Sequence, residues 1–231
     1  MARLPRTTRN FHGRRKGKGL RPAQERYLAE DLPRLSVPGA DPVAHPARET
    51  IDARDIFGDA RPLWLEIGFG AGEHLAALAA ANPEVGIIGA EPYVNGVAAL
   101  LGKLRAAPCA NVALHCGDVR DLFDILPDGC IDRAFLLYPD PWPKARHHRR
   151  RFVTPEHLDP LARVMRPGGE LRVATDIEDY VRQTLEEVPP AGFRRLEGNL
   201  YRPWAGWEST RYERKALREG RRPHYLTFHR A

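Results

Sequence analysis

Leu63-Trp64-Leu65-Glu66-Ile67-Gly68-Phe69-Gly70-Ala71-Gly72-Glu73 decides how the rest of the chain is read. The apolar run Leu63–Ile67 has the length of one buried strand, and the Ala- and Leu-rich stretch Glu73–Ala81 reads as the helix that follows it. Between them, Gly68, Gly70 and Gly72 let the backbone turn sharply and let a ligand lie against it. In open α/β sheets the carboxyl end of the first strand is where nucleotides bind. A dinucleotide fold places its third glycine one position later, so that a pyrophosphate meets the helix N-terminus. Glu73 stands there instead and would repel a pyrophosphate, which disfavours a nicotinamide-dependent oxidoreductase.

Outward from this turn the same strand-then-helix unit recurs. Residues 85–90 read as a strand and Val94–Ala106 as a helix; 112–116 and 119–125, 131–138 and 155–165, and 170–174 and 177–188 repeat the pair. Short apolar strands alternating with helices predict an α/β fold with a doubly wound, mostly parallel sheet covered by helices on both faces. Residues 193–196 and 224–228 add two strands, for a seven-stranded sheet with an antiparallel edge near the C-terminus. Residues 1–60 hold many prolines and no sustained periodicity, and read as a mobile basic arm and a lead-in wrapping the core; 61–231 read as one domain.

At 231 residues the chain can bury one sizeable core. It has no apolar run near the roughly 20 residues that cross a bilayer, so no membrane association is expected. Cys109, Cys116 and Cys130 are an odd set without a C-x-x-C pair, which fits a reduced, cytoplasmic setting, near-core thiols and no metal site. The net charge is +6, and it is distributed in blocks. Met1 to Arg21 carries eight cations and no acid, which suits an acidic partner such as RNA but also a merely solvated tail. Its glycines and prolines argue against the amphipathic helix of an organellar transit peptide.

The E-x-G-x-G-x-G pattern beginning at Glu66 resembles motif I of class I methyltransferases, whose Rossmann-like fold cradles the amino-acid part of S-adenosylmethionine in this turn. Glu91 closes the second strand, where a carboxylate can accept from both ribose hydroxyls, and Asp118 follows the third, where one can accept from the adenine amino group. Taken singly, each is more often a solvated strand end or a helix cap. Three acids ending three successive strands point at one crevice. The fourth strand runs into Tyr138-Pro139-Asp140-Pro141-Trp142-Pro143-Lys144, whose prolines fix φ and restrict the residues before them, so Asp140 is held stiffly. Next comes Lys144-Ala145-Arg146-His147-His148-Arg149-Arg150-Arg151, a basic run able to hold a polyanion beside the reactive centre, with Trp142 and Phe152 available to stack on a displaced base.

The string Tyr-Pro-Asp-Pro-Trp-x-Lys with its basic run resembles the signature of the bacterial tRNA (guanine-N7-)-methyltransferases, and the likeness continues through Ala174-Thr175-Asp176 and Thr210-Arg211-Tyr212-Glu213. It implies S-adenosylmethionine as cofactor and tRNA as partner, with guanosine 46 of the variable loop as the target and a monomer or homodimer as the working form. On that likeness Glu66, Gly68, Gly70, Gly72, Glu91, Asp118 and Asp140 contact the cofactor, and Asp140 is the catalytic residue. Lys144, Arg146, His147, His148, Arg149, Arg150, Arg151, Asp176, Thr210, Arg211, Tyr212 and Glu213 contact the substrate. The chain departs from the pattern at Pro92-Tyr93-Val94-Asn95, where a shorter, more polar turn is expected, and in carrying Arg211 and Tyr212 where Lys and Phe are common. Two other readings stay open. Pro139-Asp140-Pro141-Trp142 distantly resembles the loop of amino-methyltransferases acting on adenine or cytosine, and a non-catalytic RNA-binding module would show the same basic blocks.

Overall fold

The computed structural model describes residues 11–231, so the arm cations Arg3, Arg6 and Arg9 lie outside the described residues. Helices α1 (Pro22–Glu30) and α2 (Leu32–Leu35) precede the first strand. From there β1 (Leu63–Ile67), α3 (Glu73–Ala81), β2 (Gly86–Ala90), α4 (Val94–Ala106), β3 (Val112–His115) and α5 (Val119–Phe123) alternate. They are followed by β4 (Ile131–Leu137), α6 (Pro155–Val164), β5 (Met165–Thr175) and α7 (Glu178–Glu187), then β6 (Phe193–Arg195), α8 (Arg211–Arg218) and β7 (His224–Arg230).

The strands form one seven-stranded sheet in the order β3-β2-β1-β4-β5-β7-β6. The first five pair parallel, β7 runs antiparallel to β5, and β6 antiparallel to β7, as the sequence pattern predicts. Because side chains alternate across a strand, Leu63, Leu65 and Ile67 of β1 join Ile88, Ala134, Leu136 and Val173 on one face, against Leu122 and Phe123 of α5, Leu161 of α6 and Tyr180 of α7. Ile87, Val112 and Leu114 point to the other face and meet Leu75 of α3 and Val97, Leu100 and Leu101 of α4. Helices therefore cover both faces. The three thiols are free and half-buried, and burial pushes Cys130 up to about 12, as expected of inert near-core cysteines.

Four local features differ from the sequence reading. The lead-in contains α1, which has no periodic sign in the sequence: its apolar side is little more than Tyr27 and Leu28, and its start is set by Pro22 and by the Arg21 amide donating to Gln24 Oε1 at 3.0 Å. The stretch of the expected mobile arm after Phe11 is tied down: Val94 N donates to Arg15 O, Gly17 N to Asn95 Oδ1 and Asn95 Nδ2 to Lys18 O. Strand β5 starts five residues before its expected beginning, with a register shift against β4 between Ile131 and Arg133. Helix α8 was unexpected because its eight residues are mostly charged; its start is fixed by the Thr210 side chain accepting from Glu213 N, and its buried side is Glu213 and Ala216.

Helix α4 packs directly on the glycine turn. A Cβ on Gly96 would lie 2.2 Å from Gly70 O, a backbone atom that cannot swing aside. Gly96→Ala is therefore expected to destabilise the fold by about 1–3 kcal/mol in urea titration. Gly102→Ala in the same helix, whose new methyl would meet only the Tyr27 ring at 3.3 Å, should stay within about 1 kcal/mol of the parent. Equal stability of the Gly96→Ala protein and the parent would refute the close approach.

Candidate active site

The tips of β1, β2, β3 and β4 open into one cavity of about 1090 Å³. Glu91, Asp118 and Asp140 all line it, one acid after each of β2, β3 and β4. Glu91 is buried and clamps the glycine turn, its Oε2 accepting from Gly70 N at 2.7 Å and its Oε1 from Tyr93 N at 2.8 Å. Burial raises its pKa against these two hydrogen bonds, with the Asp140 charge adding to the rise and Arg211 opposing it. Each carboxylate oxygen keeps acceptor capacity for a further donor.

Asp118 caps α5 by accepting from Arg120 N at 3.0 Å, and takes Arg120 Nη2 at 2.6 Å. Burial works to raise it, but the hydrogen bonds and charge of Arg120 outweigh that and hold the carboxyl below its ordinary range. Arg120 is itself buried and also pairs with Glu156. Asp140 is exposed and accepts no hydrogen bond from the described residues, and partial desolvation by the loop around it raises its pKa. The floor of the cavity thus holds one fixed anion and two carboxylates that desolvation disfavours as anions.

Glu66 and Gly72 were expected at this wall and stand off it. The period of two in β1 turns Glu66 to the α3 side, where it is buried with its Oε2 2.8 Å from His74 Nδ1. It fastens α3 to β1 behind the turn. Gly72 is the left-handed N-cap of α3, at φ 72, and faces Leu100. Gly68 and Gly70 do line the cavity.

The Pro-Asp-Pro loop is bracketed by Tyr138 and Trp142, which have φ of 49 and 40. Side-chain-bearing residues adopt this left-handed conformation only where the surroundings impose it. Part of that imposition comes from Arg151. Rather than facing RNA, Arg151 is 1% exposed: its Nε donates to Pro141 O at 2.9 Å, its Nη2 to Asp179 Oδ2 at 2.8 Å and its Nη1 to Gln183 Oε1 at 3.0 Å. The last cation of the basic run is therefore a brace behind the loop. His148 leans the same way, with Nε2 3.1 Å from Asp179 Oδ2.

The remaining run, residues 145–150, forms a 3₁₀ helix. Arg149 and Arg150 line the cavity, with Arg150 5.1 Å from the Trp142 ring centre, while Lys144 and Arg146 are exposed outside it and His147 packs edge-on against Trp142. Asp176 lines the opposite side and is paired with Arg221. Of the four residues at the start of α8, only Tyr212 reaches the wall. Thr210 is consumed as the helix cap, and Glu213 is buried, accepting from Trp207 Nε1 at 2.8 Å and from the Tyr225 hydroxyl. These two are engaged in supporting α8 from within.

Several wall residues carried no sequence signal. Lys215 and Arg221 arrive because α8 and the approach to β7 fold back over the sheet edge, and Phe11, His12 and Arg14 because the arm is pinned to the start of α4. Arg120 was findable, standing two residues beyond a strand-end acid. Among the described residues, no cluster of His, Cys, Asp or Glu is placed to hold a metal ion, and no helix is long and apolar enough to cross a membrane.

Residues 60–226 match the model of a family described as "Putative methyltransferase". The chain is 65% identical over 223 residues to the tRNA (guanine-N(7)-)-methyltransferase of Jannaschia sp. (strain CCS1), covering 95% of this chain and 94% of that one. It is 47% identical over 237 residues to the protein of the same name from Rhodospirillum rubrum, covering 100% and 91%. Among solved structures, the 16S rRNA methyltransferase KamB superposes with a TM-score of 0.57 at 18% identity, over 79% of this chain and 95% of that one. At that identity the likeness is one of fold.

Removing the brace tests the reading of Arg151. Arg151→Ala is expected to lose about 2 kcal/mol of stability in urea titration, the value of hydrogen bonds to a charged group. Unchanged stability with a loss of RNA affinity would return Arg151 to the binding surface.

Proposed function

The chain belongs to the tRNA (guanine-N(7)-)-methyltransferase family, and from that premise we propose that it methylates N7 of guanine in tRNA, at guanosine 46 of the variable loop, in the cytoplasm. One observation carries the proposal: an acidic floor lies beneath a basic rim in a single cavity. Glu91, Asp118 and Asp140 form the floor, and Arg14, Arg149, Arg150 and Lys215 stand in the wall around it. A cationic cofactor suits the floor, and a polyanion suits the rim.

The donor set fits S-adenosylmethionine. Glu91 faces the cavity with acceptor capacity for ribose hydroxyls, Asp118 lines it at the adenine end with both oxygens engaged by Arg120, and Gly70 presents bare backbone to the turn. When bound, the cofactor supplies an electrophilic methyl group on a positively charged sulfur. Guanine N7 carries an in-plane lone pair and no proton, so its attack requires no general base. Asp140 orients the guanine and offsets the positive charge that grows on its ring, a task of position and electrostatics. Asp176, held in place by Arg221, accepts from the N1 and amino edge of guanine, which adenine does not reproduce. Trp142, with Arg150 at its face, offers a stacking surface for the displaced base. Residues 61–231 carry this chemistry as one unit, and the preceding segment adds Phe11 to Arg14 to its wall.

Incubation with unmodified tRNA and labelled cofactor, followed by nucleoside analysis, should yield 7-methylguanosine. Label in N6-methyladenosine or N4-methylcytidine would move the chemistry to an exocyclic amine, and RNA binding without label transfer would reduce the protein to a binding module. Asp140→Asn should lower kcat by about 100-fold or more. The parent enzyme should meanwhile show a kcat that does not follow a single carboxyl ionisation.

Desolvation raises both Glu91 and Asp140, so protons bind them more readily in the free protein than in water. A sulfonium favours their ionised forms. Affinity for S-adenosylmethionine should therefore fall as pH drops through the raised values, with the loss beginning above the ordinary carboxyl range, in calorimetric titrations. S-adenosylhomocysteine, whose sulfur is uncharged, should show a shallower loss. Parallel pH profiles for the two ligands would mean that these carboxylates do not sense the charge on sulfur.

A further inference from the structure

The first turn of α8 lies over the glycine turn. A Cβ on Gly70 would come within 3.5 Å of Tyr212 Cε2 and 3.7 Å of Arg211 Nη2. This placement is rigid: Thr210 caps the helix, and buried Glu213 ties it to Trp207 and to Tyr225 on β7. Arg211 Nη2 donates to the Tyr212 hydroxyl at 2.9 Å, and its guanidinium stands 4.8 Å from the Tyr212 ring centre. That engages one of five N–H donors. Whereas Arg120, Arg151 and Arg221 all hold carboxylates, Arg211 pairs with none among the described residues.

The three glycines of the turn have already committed their own amides. Gly68 N is spent on Ala90 O, Gly70 N on Glu91 Oε2 and Gly72 N on Phe69 O. A side-chain cation beside this turn would add a charge-assisted partner for an amino-acid carboxylate lying against it. Two are near. Lys103 Nζ is committed to Ala71 O at 2.8 Å and lies 3.9 Å from Glu73 Oε1. Arg211 is the one with its planar fork uncommitted, and a guanidinium matches a carboxylate with two parallel hydrogen bonds.

We propose that Arg211, whose exposed guanidinium stands beside Gly70 just behind Tyr212 in the cavity wall, turns onto the methionyl carboxylate of the cofactor, so that α8 belongs to the cofactor site as well as to the RNA face. This rests on the cofactor reading given above and assigns it a residue that the family likeness places on the substrate. Tyr212, fixed by the same hydrogen bond, closes the outer side of the turn over Gly70. The Lys common at this position would keep the charge and lose the fork.

Calorimetry with two ligands isolates the contact. S-adenosylhomocysteine carries the carboxylate, and 5′-methylthioadenosine lacks the whole amino-acid portion. In Arg211→Ala, S-adenosylhomocysteine should bind about 10- to 100-fold more weakly, with 5′-methylthioadenosine unchanged; Arg211→Lys should recover part of the loss. Unchanged 5′-methylthioadenosine binding also shows that the variant is folded. Equal weakening of both ligands, or unaltered S-adenosylhomocysteine binding with a raised KM for tRNA, would overturn the assignment. A parent protein that binds neither ligand would instead overturn the cofactor reading on which it rests.

Discussion

Between β1 and β4 the chain changes the side on which it adds strands, so the connections leaving their carboxyl ends diverge toward opposite faces and a crevice opens between them. Everything that reads as chemistry stands at its edges. The glycine turn leaves β1 and the Pro-Asp-Pro loop leaves β4, side by side because Ile67 pairs with Leu136. Glu91 and Asp118 follow from the two strands stacked beyond β1, where the parallel ladder brings their tips to the same level.

Concentrating carboxylates at one end of a sheet has an electrostatic consequence. Glu91 lies near Asp140, and both are disfavoured as anions by the protein around them. Asp118 escapes that fate only because Arg120 neutralises it. Positive charge placed between Glu91 and Asp140 favours their ionised forms, whereas an anion there would disfavour them further. The arginines in the wall place a positive field over the same cavity, of the sign that attracts a polyanion.

Rigidity behind the site comes from buried polar contacts that point away from any ligand. Glu66 with His74 fastens α3, Glu213 with Trp207 and Tyr225 fastens α8, and Arg151 grips the loop that presents Asp140. Such groups resemble functional residues in a sequence, since they are charged and flank the motifs. Their burial lets them fix the elements that line the cavity, and Tyr138 and Trp142 hold left-handed backbone on the strength of that support.

Periodicity and local chemistry were enough to read the layered fold, the five strand-helix units, the antiparallel edge and the three strand-end acids of the cavity, because each depends on neighbours within a few residues. The family signature was legible for the same reason, being a contiguous string from Tyr138 to Arg151. What only the tertiary structure decided was direction. A charge in a string carries no record of which way its side chain turns, and only strand alternation and helix packing show that Glu66, Arg151, Thr210 and Glu213 are buried and bonded within the protein. Arg14, Lys215 and Arg221 enter the wall through contacts between segments far apart along the chain, and Arg211 reaches Gly70 across more than half its length, a proximity set by the antiparallel return of the last strand and by nothing adjacent in sequence.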